Sequence, residues 1–123
     1  MTNILITGSR TWKNKMLLHK ILSQEVSPED AVIDGGAPGV DTLAMKWCKN
    51  KGIKHITIRP LNPSRREYYL HRNAEMIGMA DRVIALWCDS SRGTQFTIKY
   101  ALKRFKPVIV FNEDGDIVNN DNI

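Results

Sequence analysis

The chain has 123 residues, 42% of them hydrophobic and 25% charged. That is the length and mix of one ordinary globular domain, and it excludes a disordered tail, a collagen-like repeat and a coiled coil. The net charge is +5, but unevenly spread: all 18 Lys and Arg precede residue 107 and four of the 13 carboxylates follow residue 112. Residues 1–112 therefore carry +9 and the last eleven −4, a basic body that suits a polyanionic or phosphorylated partner and equally suits plain solubility.

Apolar runs and helical patterns alternate along the chain. Asn3–Thr7 reads as a first strand, and Leu17, Leu18, Ile21 and Leu22 then recur at helical spacing. Ala31–Asp34 is a second strand. Val40, Leu43, Ala44, Trp47 and Cys48 form one helix face, ended by Gly52. Lys54–Arg59 is a third apolar run, stopped by Pro60. Ser64 and Glu67 have the spacing of a capping box for a helix through Met79. Arg82–Leu86 is a fourth strand, Ile98, Ala101, Leu102 and Phe105 mark a fourth helix, and Pro107–Phe111 is a fifth strand.

The strand runs are continuous Val, Ile and Leu, as expected of strands buried on both faces. The order βαβαβαβαβ with right-handed crossovers predicts a Rossmann-like α/β fold: an open, parallel, doubly wound sheet of about five strands with helices on both faces. Residues 1–112 make one domain. Residues 113–123 are an acidic polar tail, frayed or forming a weak edge hairpin around Ile117.

No apolar run approaches the roughly 20 residues of a membrane span, and the first residues lack a signal-peptide pattern. The expectation is a cytoplasmic protein without membrane contact. Two cysteines forty positions apart and three scattered histidines give no metal-ligand spacing, so neither a metal nor a cofactor is expected.

In such sheets ligands bind beyond the carboxyl ends of the strands. Three loops there have unusual composition: Gly8-Ser9-Arg10, Gly35-Gly36-Ala37-Pro38-Gly39-Val40-Asp41, and Trp87-Cys88-Asp89-Ser90-Ser91-Arg92-Gly93-Thr94. Glycines let a ligand approach the backbone. Helix amino ends, opened by Gly39 and by Gly93-Thr94, point N–H groups at an anion. Ser9, Ser90, Ser91 and Thr94 add hydroxyls, and Arg10 and Arg92 add charge. Plainer readings stand beside these. Gly35-Gly36 also suits a tight turn, Asp41 a first-turn carboxylate, Ser91 or Thr94 a helix cap, and Trp12 and Trp87 simple packing. Arg72 and Asn73 on the third helix read alone as a solvated surface. Neither a Walker P-loop nor a Gly-x-Gly-x-x-Gly fingerprint is present.

Taken in order, Gly8-Ser9-Arg10, Gly35-Gly36-Ala37-x-Gly39-Val40-Asp41, Arg72-Asn73-x-x-Met76, Ala80-Asp81-x-Val83-Ile84-Ala85-x-Trp87 and Ser91-x-Gly93-Thr94 resemble the YspA-like branch of the SLOG superfamily. That superfamily includes the DprA/Smf proteins and the LOG phosphoribohydrolases. The resemblance implies a pocket for a nucleotide or nucleotide-derived, signalling-type molecule. Its lining would come from Gly8, Ser9, Arg10, Gly35, Gly36, Gly39, Asp41, Arg72, Asn73, Trp87, Ser90, Ser91, Gly93 and Thr94. Arg72 and Met76 match the LOG Arg-Lys…Met motif, with Asn73 in place of the lysine. Thr97 stands where the LOG glutamate belongs, so the carboxylate that glycoside cleavage needs is missing there.

The leading expectation is a stand-alone binding domain that holds or sequesters its ligand, for example a phage protein blunting a host nucleotide signal. The alternative is a nucleotide N-glycosidase using Asp41 and Arg72 as catalytic residues, with Asp89 the next carboxylate. The third is DprA-like nucleic-acid binding by the basic body. A homo-oligomer through Tyr68, Tyr69 and Leu70 on the third helix is a further expectation, against packing of these residues on the protein's own sheet.

Overall fold

The computed structural model describes residues 2–123. Five strands alternate with four helices: β1 (Asn3–Gly8), α1 (Lys15–Glu25), β2 (Ala31–Asp34), α2 (Val40–Lys51), β3 (Lys54–Thr57), α3 (Arg66–Met79), β4 (Arg82–Leu86), α4 (Arg92–Lys103) and β5 (Val108–Phe111). All strand pairings are parallel, in the order β3-β2-β1-β4-β5. The chain builds outward from β1 to β3 on one side, then crosses to β4 and β5 on the other. The reversal falls between β1 and β4, where Gly8 lies beside Leu86. This is the Rossmann-like α/β fold expected from the element order.

The continuous apolar runs fill both faces of the sheet. On one face Ile4, Ile6, Val32, Ile84 and Leu86 pack against Leu18, Leu22, Ala44 and Trp47 of α1 and α2. On the other, Leu5, Ile33 and Val83 meet Met76, Ile77 and Ala101 of α3 and α4. Fully burying one such side chain stabilises by about 1.5–3 kcal/mol, which is why the central strands fix the register. Trp12 belongs to the first of these cores, 3% exposed, and so packs rather than stacks on a ligand.

Local signals set most helix ends. Asn14 Oδ1 accepts from Leu17 N–H at the start of α1, Gly52 closes α2 in the left-handed conformation, and Ser91 Oγ caps α4 at Thr94 N–H. The capping box at Ser64 and Glu67 does not form. Asn62 Oδ1 takes both the N–H and the hydroxyl of Ser64, Glu67 pairs with Arg65 at 2.6 Å, and α3 begins one residue later with Arg65 at its cap position. The Asx turn after Leu61 competes for the same serine and wins.

After β5 the chain turns back along that edge strand. Phe111 bridges Ile117, Val118 N–H donates to Val110 O at 2.8 Å, and Val118 and Ile123 pack on Ala85, Ile98 and Val110. Glu113 accepts from Lys13 N–H at 3.2 Å, tying this stretch to the start of α1. No helix among the described residues is long and apolar enough to cross a membrane.

Candidate functional site

A cavity of about 550 Å³ opens at the carboxyl edge of the sheet, beyond the reversal between β1 and β4. Its floor is Thr7 and Gly8 of β1. Arg10 and Thr11 from the loop after β1, Ala37 from the loop into α2 and Asp41 from the first turn of α2 form one wall. Arg66, Tyr69, Arg72 and Asn73 of α3 form a second. Ser91, Gly93, Thr94, Phe96 and Thr97 at the amino end of α4 form the third. A pocket of about 230 Å³ adjoins it, sharing Arg10, Ala37, Tyr69 and Arg72 and adding Gly35, Gly36 and Arg59.

Of the residues singled out in the sequence, Gly8, Arg10, Asp41, Arg72, Asn73, Ser91, Gly93 and Thr94 come together on the main cavity. Gly35 and Gly36 line the side pocket. Ser9, Gly39, Trp87 and Ser90 line neither. Ser9 is fully buried, and its hydroxyl both donates to Cys88 O and accepts from Cys88 N–H, each at 2.8 Å. It fastens the β1 loop to the β4 loop instead of offering a hydroxyl to a ligand. Gly39, at φ +83°, lies so close to the preceding loop that a Cβ would meet Ser9 O and Arg10 O at 2.6 Å. Trp87 donates its ring N–H to Ser91 O at 2.9 Å and packs beside Ala85, Ile98 and Val110. Ser90 is solvent-exposed with φ +49°.

The glycine-rich loop spends its amides on its own carboxylates. Asp41 Oδ2 accepts from Gly35 N–H at 3.0 Å and Ala37 N–H at 3.2 Å, and Asp34 Oδ1 accepts from Gly36 N–H at 2.8 Å. The amino end of α2 is closed in the same way, with Val40 N–H directed at Ser9 O and Asp41 already in its first turn. A phosphate at the amino end of α2 would meet Asp41 where the sequence suggested open donors, so the expectation of an anion cradle at Gly39 is corrected. The α4 end is different. It has no acidic residue in its first turn, and among the described residues no protein acceptor pairs with the N–H groups of Arg92 and Gly93. Gly93 and the Arg92 side chain line the cavity at this open end, and Arg10 lines it from the loop after β1.

Burial controls the charges at the back of the site. Asp41, 7% exposed, has its carboxyl pushed from the ordinary 3.8 up to about 6, because burial, reinforced by the neighbouring charge of Asp34, penalises the anion more than the two amides and Arg72 favour it. Burial likewise raises Asp34, against hydrogen bonds from Gly36 and Thr57. Burial lowers Arg72, opposed by the charge of Asp41. The Arg72 guanidinium is held by Gly35 O, by Ile58 O at 3.3 Å and by Asn73 Oδ1 at 2.8 Å, and lies over the Tyr69 ring at 5.4 Å. Arg72 is thus a buried strut between α3 and the ends of β2 and β3, and the solvated-surface reading of this helix does not hold at this position. Thr97 donates its hydroxyl to Gly93 O at 3.1 Å within α4 and carries no charge into the cavity.

Arg59, Arg66, Tyr69 and Phe96 belong to the site although the sequence did not mark them as lining. Each is a lone side chain beside a turn or on a helix, and Tyr69 drew notice only as part of a surface patch.

A family model for the YspA, cpYpsA-related SLOG family matches residues 2–62. The chain is also 32% identical over 124 positions to the Gene 61 protein of Mycobacterium phage D29, covering 92% of this chain and 98% of that protein. The chain belongs to the YspA, cpYpsA-related SLOG family. Solved structures carry the same fold. DNA processing protein A (DprA) from Streptococcus pneumoniae matches with a TM-score of 0.79 at 18% identity, over 90% of this chain and 50% of that one. DNA processing protein A from Helicobacter pylori, whose structure describes its single-stranded DNA binding mode, gives 0.68 at 20% identity, over 89% and 65%. The protein TM1055 gives 0.67 at 20% identity, over 88% and 72%. This SLOG chain therefore spans half the length of the Streptococcus DprA chain and 65% of the Helicobacter one.

Proposed function

We propose that this SLOG domain binds a nucleotide or nucleotide-derived molecule in the cavity at the carboxyl edge of the sheet. One observation carries the reading: the cavity joins the open α4 amino end and four arginines, Arg10, Arg66, Arg72 and Arg92, to the rings of Tyr69 and Phe96. Cations and free amides suit a phosphate. Aromatic faces suit a base or ribose. The volume falls within the roughly 300–1,000 Å³ of small-molecule sites.

Binding without turnover is the form best supported. Asp41 is the one buried carboxylate on the cavity, and its Oδ2 is occupied by two backbone amides. The catalytic reading rests on its raised pKa of about 6, a range suited to acid–base work. A sequestering role would also agree with the phage origin of the Gene 61 relative. The nucleic-acid reading draws on the Helicobacter DprA structure, but the concave cavity favours a compact ligand over a strand.

The test is a thermal-shift panel of mononucleotides, dinucleotides and cyclic nucleotides, with mass analysis of each ligand afterwards. A ligand at 100 times its Kd adds about 2.7 kcal/mol of stability. A shift with intact ligand supports binding or sequestration. A shift with released base assigns an N-glycosidase. No shift, with single-stranded DNA binding that falls steeply with salt, would replace the proposal by the nucleic-acid reading.

A further inference from the structure

The side pocket has a composition of its own. Three arginines, Arg10, Arg59 and Arg72, line it, and no Asp or Glu does. The main cavity differs, because Asp41 and Asp89 also line it. Arg72 is committed to Gly35 O, Ile58 O and Asn73 Oδ1. Arg10 and Arg59 are not committed. Ion pairs among the described residues are Arg65–Glu67 and Arg82–Glu25, and neither Arg10 nor Arg59 takes part.

Two buried carboxylates must be weighed: Asp34 feels Arg59 through space but spends its oxygens on Gly36 N–H and the Thr57 hydroxyl, and Asp41 Oδ2 is held by the amides of Gly35 and Ala37. Arg59 follows β3 and lies across Gly36. A Cβ on Gly36 would meet Arg59 Nη1 at 2.6 Å, and the φ of +72° there also favours glycine. Pro60 and Pro63 stiffen the outer rim. At about 230 Å³ the pocket is smaller than the roughly 300 Å³ at which small-molecule sites begin. It shares four lining residues with the main cavity. Those facts describe one arm of a larger site.

We infer that the side pocket is a second anion subsite, with Arg59 and Arg10 as its ligand-binding cations, and that the ligand is a two-part nucleotide bearing anionic groups in both compartments. The inference rests on the nucleotide-binding reading above and narrows its ligand class to dinucleotide-like molecules. Arg59 is set apart by position: it lines only the side pocket, whereas Arg66 and Arg92 line only the main cavity.

The experiment is calorimetric titration of the full chain with the four nucleoside 5′-monophosphates and the four matching symmetric dinucleoside diphosphates. For the base that binds, the dinucleoside diphosphate is expected to bind at least about tenfold tighter than the monophosphate, the scale of one added charge-assisted contact. Arg59→Gln should erase that margin. Lys103→Gln, an equal charge change at the far end of α4, should preserve the margin and so exclude a general charge effect. Arg59 is exposed, and an unchanged melting temperature would verify that Arg59→Gln folds. Monophosphate binding with no margin, or a margin that survives Arg59→Gln, overturns the second subsite and leaves the nucleotide reading intact. No binding by any of the eight removes both.

Discussion

Asp41→Asn should make the protein more stable at neutral pH. In the wild type the folded-state pKa is raised from 3.8 to about 6 by burial. A group shifted in that direction contributes stability that is full below 3.8 and is lost as pH rises through about 6, because the folded state must then bury an anion. The rise is worth about 3 kcal/mol at neutral pH. Asparagine has nearly the same shape and keeps an oxygen for the amides of Gly35 and Ala37, but it never ionises. Urea unfolding followed by tryptophan fluorescence would report the difference, since Trp12 and Trp47 are both buried. The two proteins should agree within about 1 kcal/mol at pH 4.5 and diverge to as much as about 3 kcal/mol at pH 7.5, with the variant the more stable. Asp34 is raised in the same direction, so a slope of the same sign should persist in both. A wild type more stable than Asp41→Asn at pH 7.5 would refute the reasoning. It would mean that the two amides and Arg72 outweigh the cost of burying the charge.

Four further substitutions separate packing from binding. Gly35→Ala would place a Cβ 2.5 Å from Arg72 Nη1 and 3.2 Å from Asp41 Oδ2. Arg72 cannot yield without leaving Gly35 O, so a loss of about 1–3 kcal/mol in urea unfolding is expected. Gly78→Ala, exposed in α3 with nothing within 4 Å of the new Cβ, should gain about 0.5–1 kcal/mol from helix propensity. Gly93→Ala also meets nothing within 4 Å and should fold normally, but it crowds the α4 corner, so the thermal shift from any bound nucleotide should fall by at least half. An undiminished shift would move the phosphate away from α4. Ser91→Ala removes the cap on Thr94 N–H and should cost about 1 kcal/mol, read as a lower melting temperature.

Much of this protein is legible in its sequence because the signals are local or periodic. Apolar runs marked five strands, of which the central β1, β2 and β4 are buried and the edge strands β3 and β5 mostly half-buried. The i, i+3, i+4 pattern of Val40 to Cys48 marked α2, and Gly52 marked its end. Ser91 read correctly as a cap candidate. Alternation of strands and helices then determined a parallel sheet, and with it the edge where three unusual loops had to meet. Tertiary structure decided how those loops are used. Whether the amides of Gly35, Gly36 and Ala37 face a ligand or the chain's own Asp34 and Asp41 depends on loop closure, which leaves no periodic trace. Ser9 looked like a ligand donor until the approach of β1 to β4 buried it against Cys88. Arg59, Arg66, Tyr69 and Phe96 enter the site only because β3, α3 and α4 converge there. Side-chain identity records burial and helix propensity, whereas a pocket is a property of side chains far apart in sequence whose meeting only the packed sheet and helices determine.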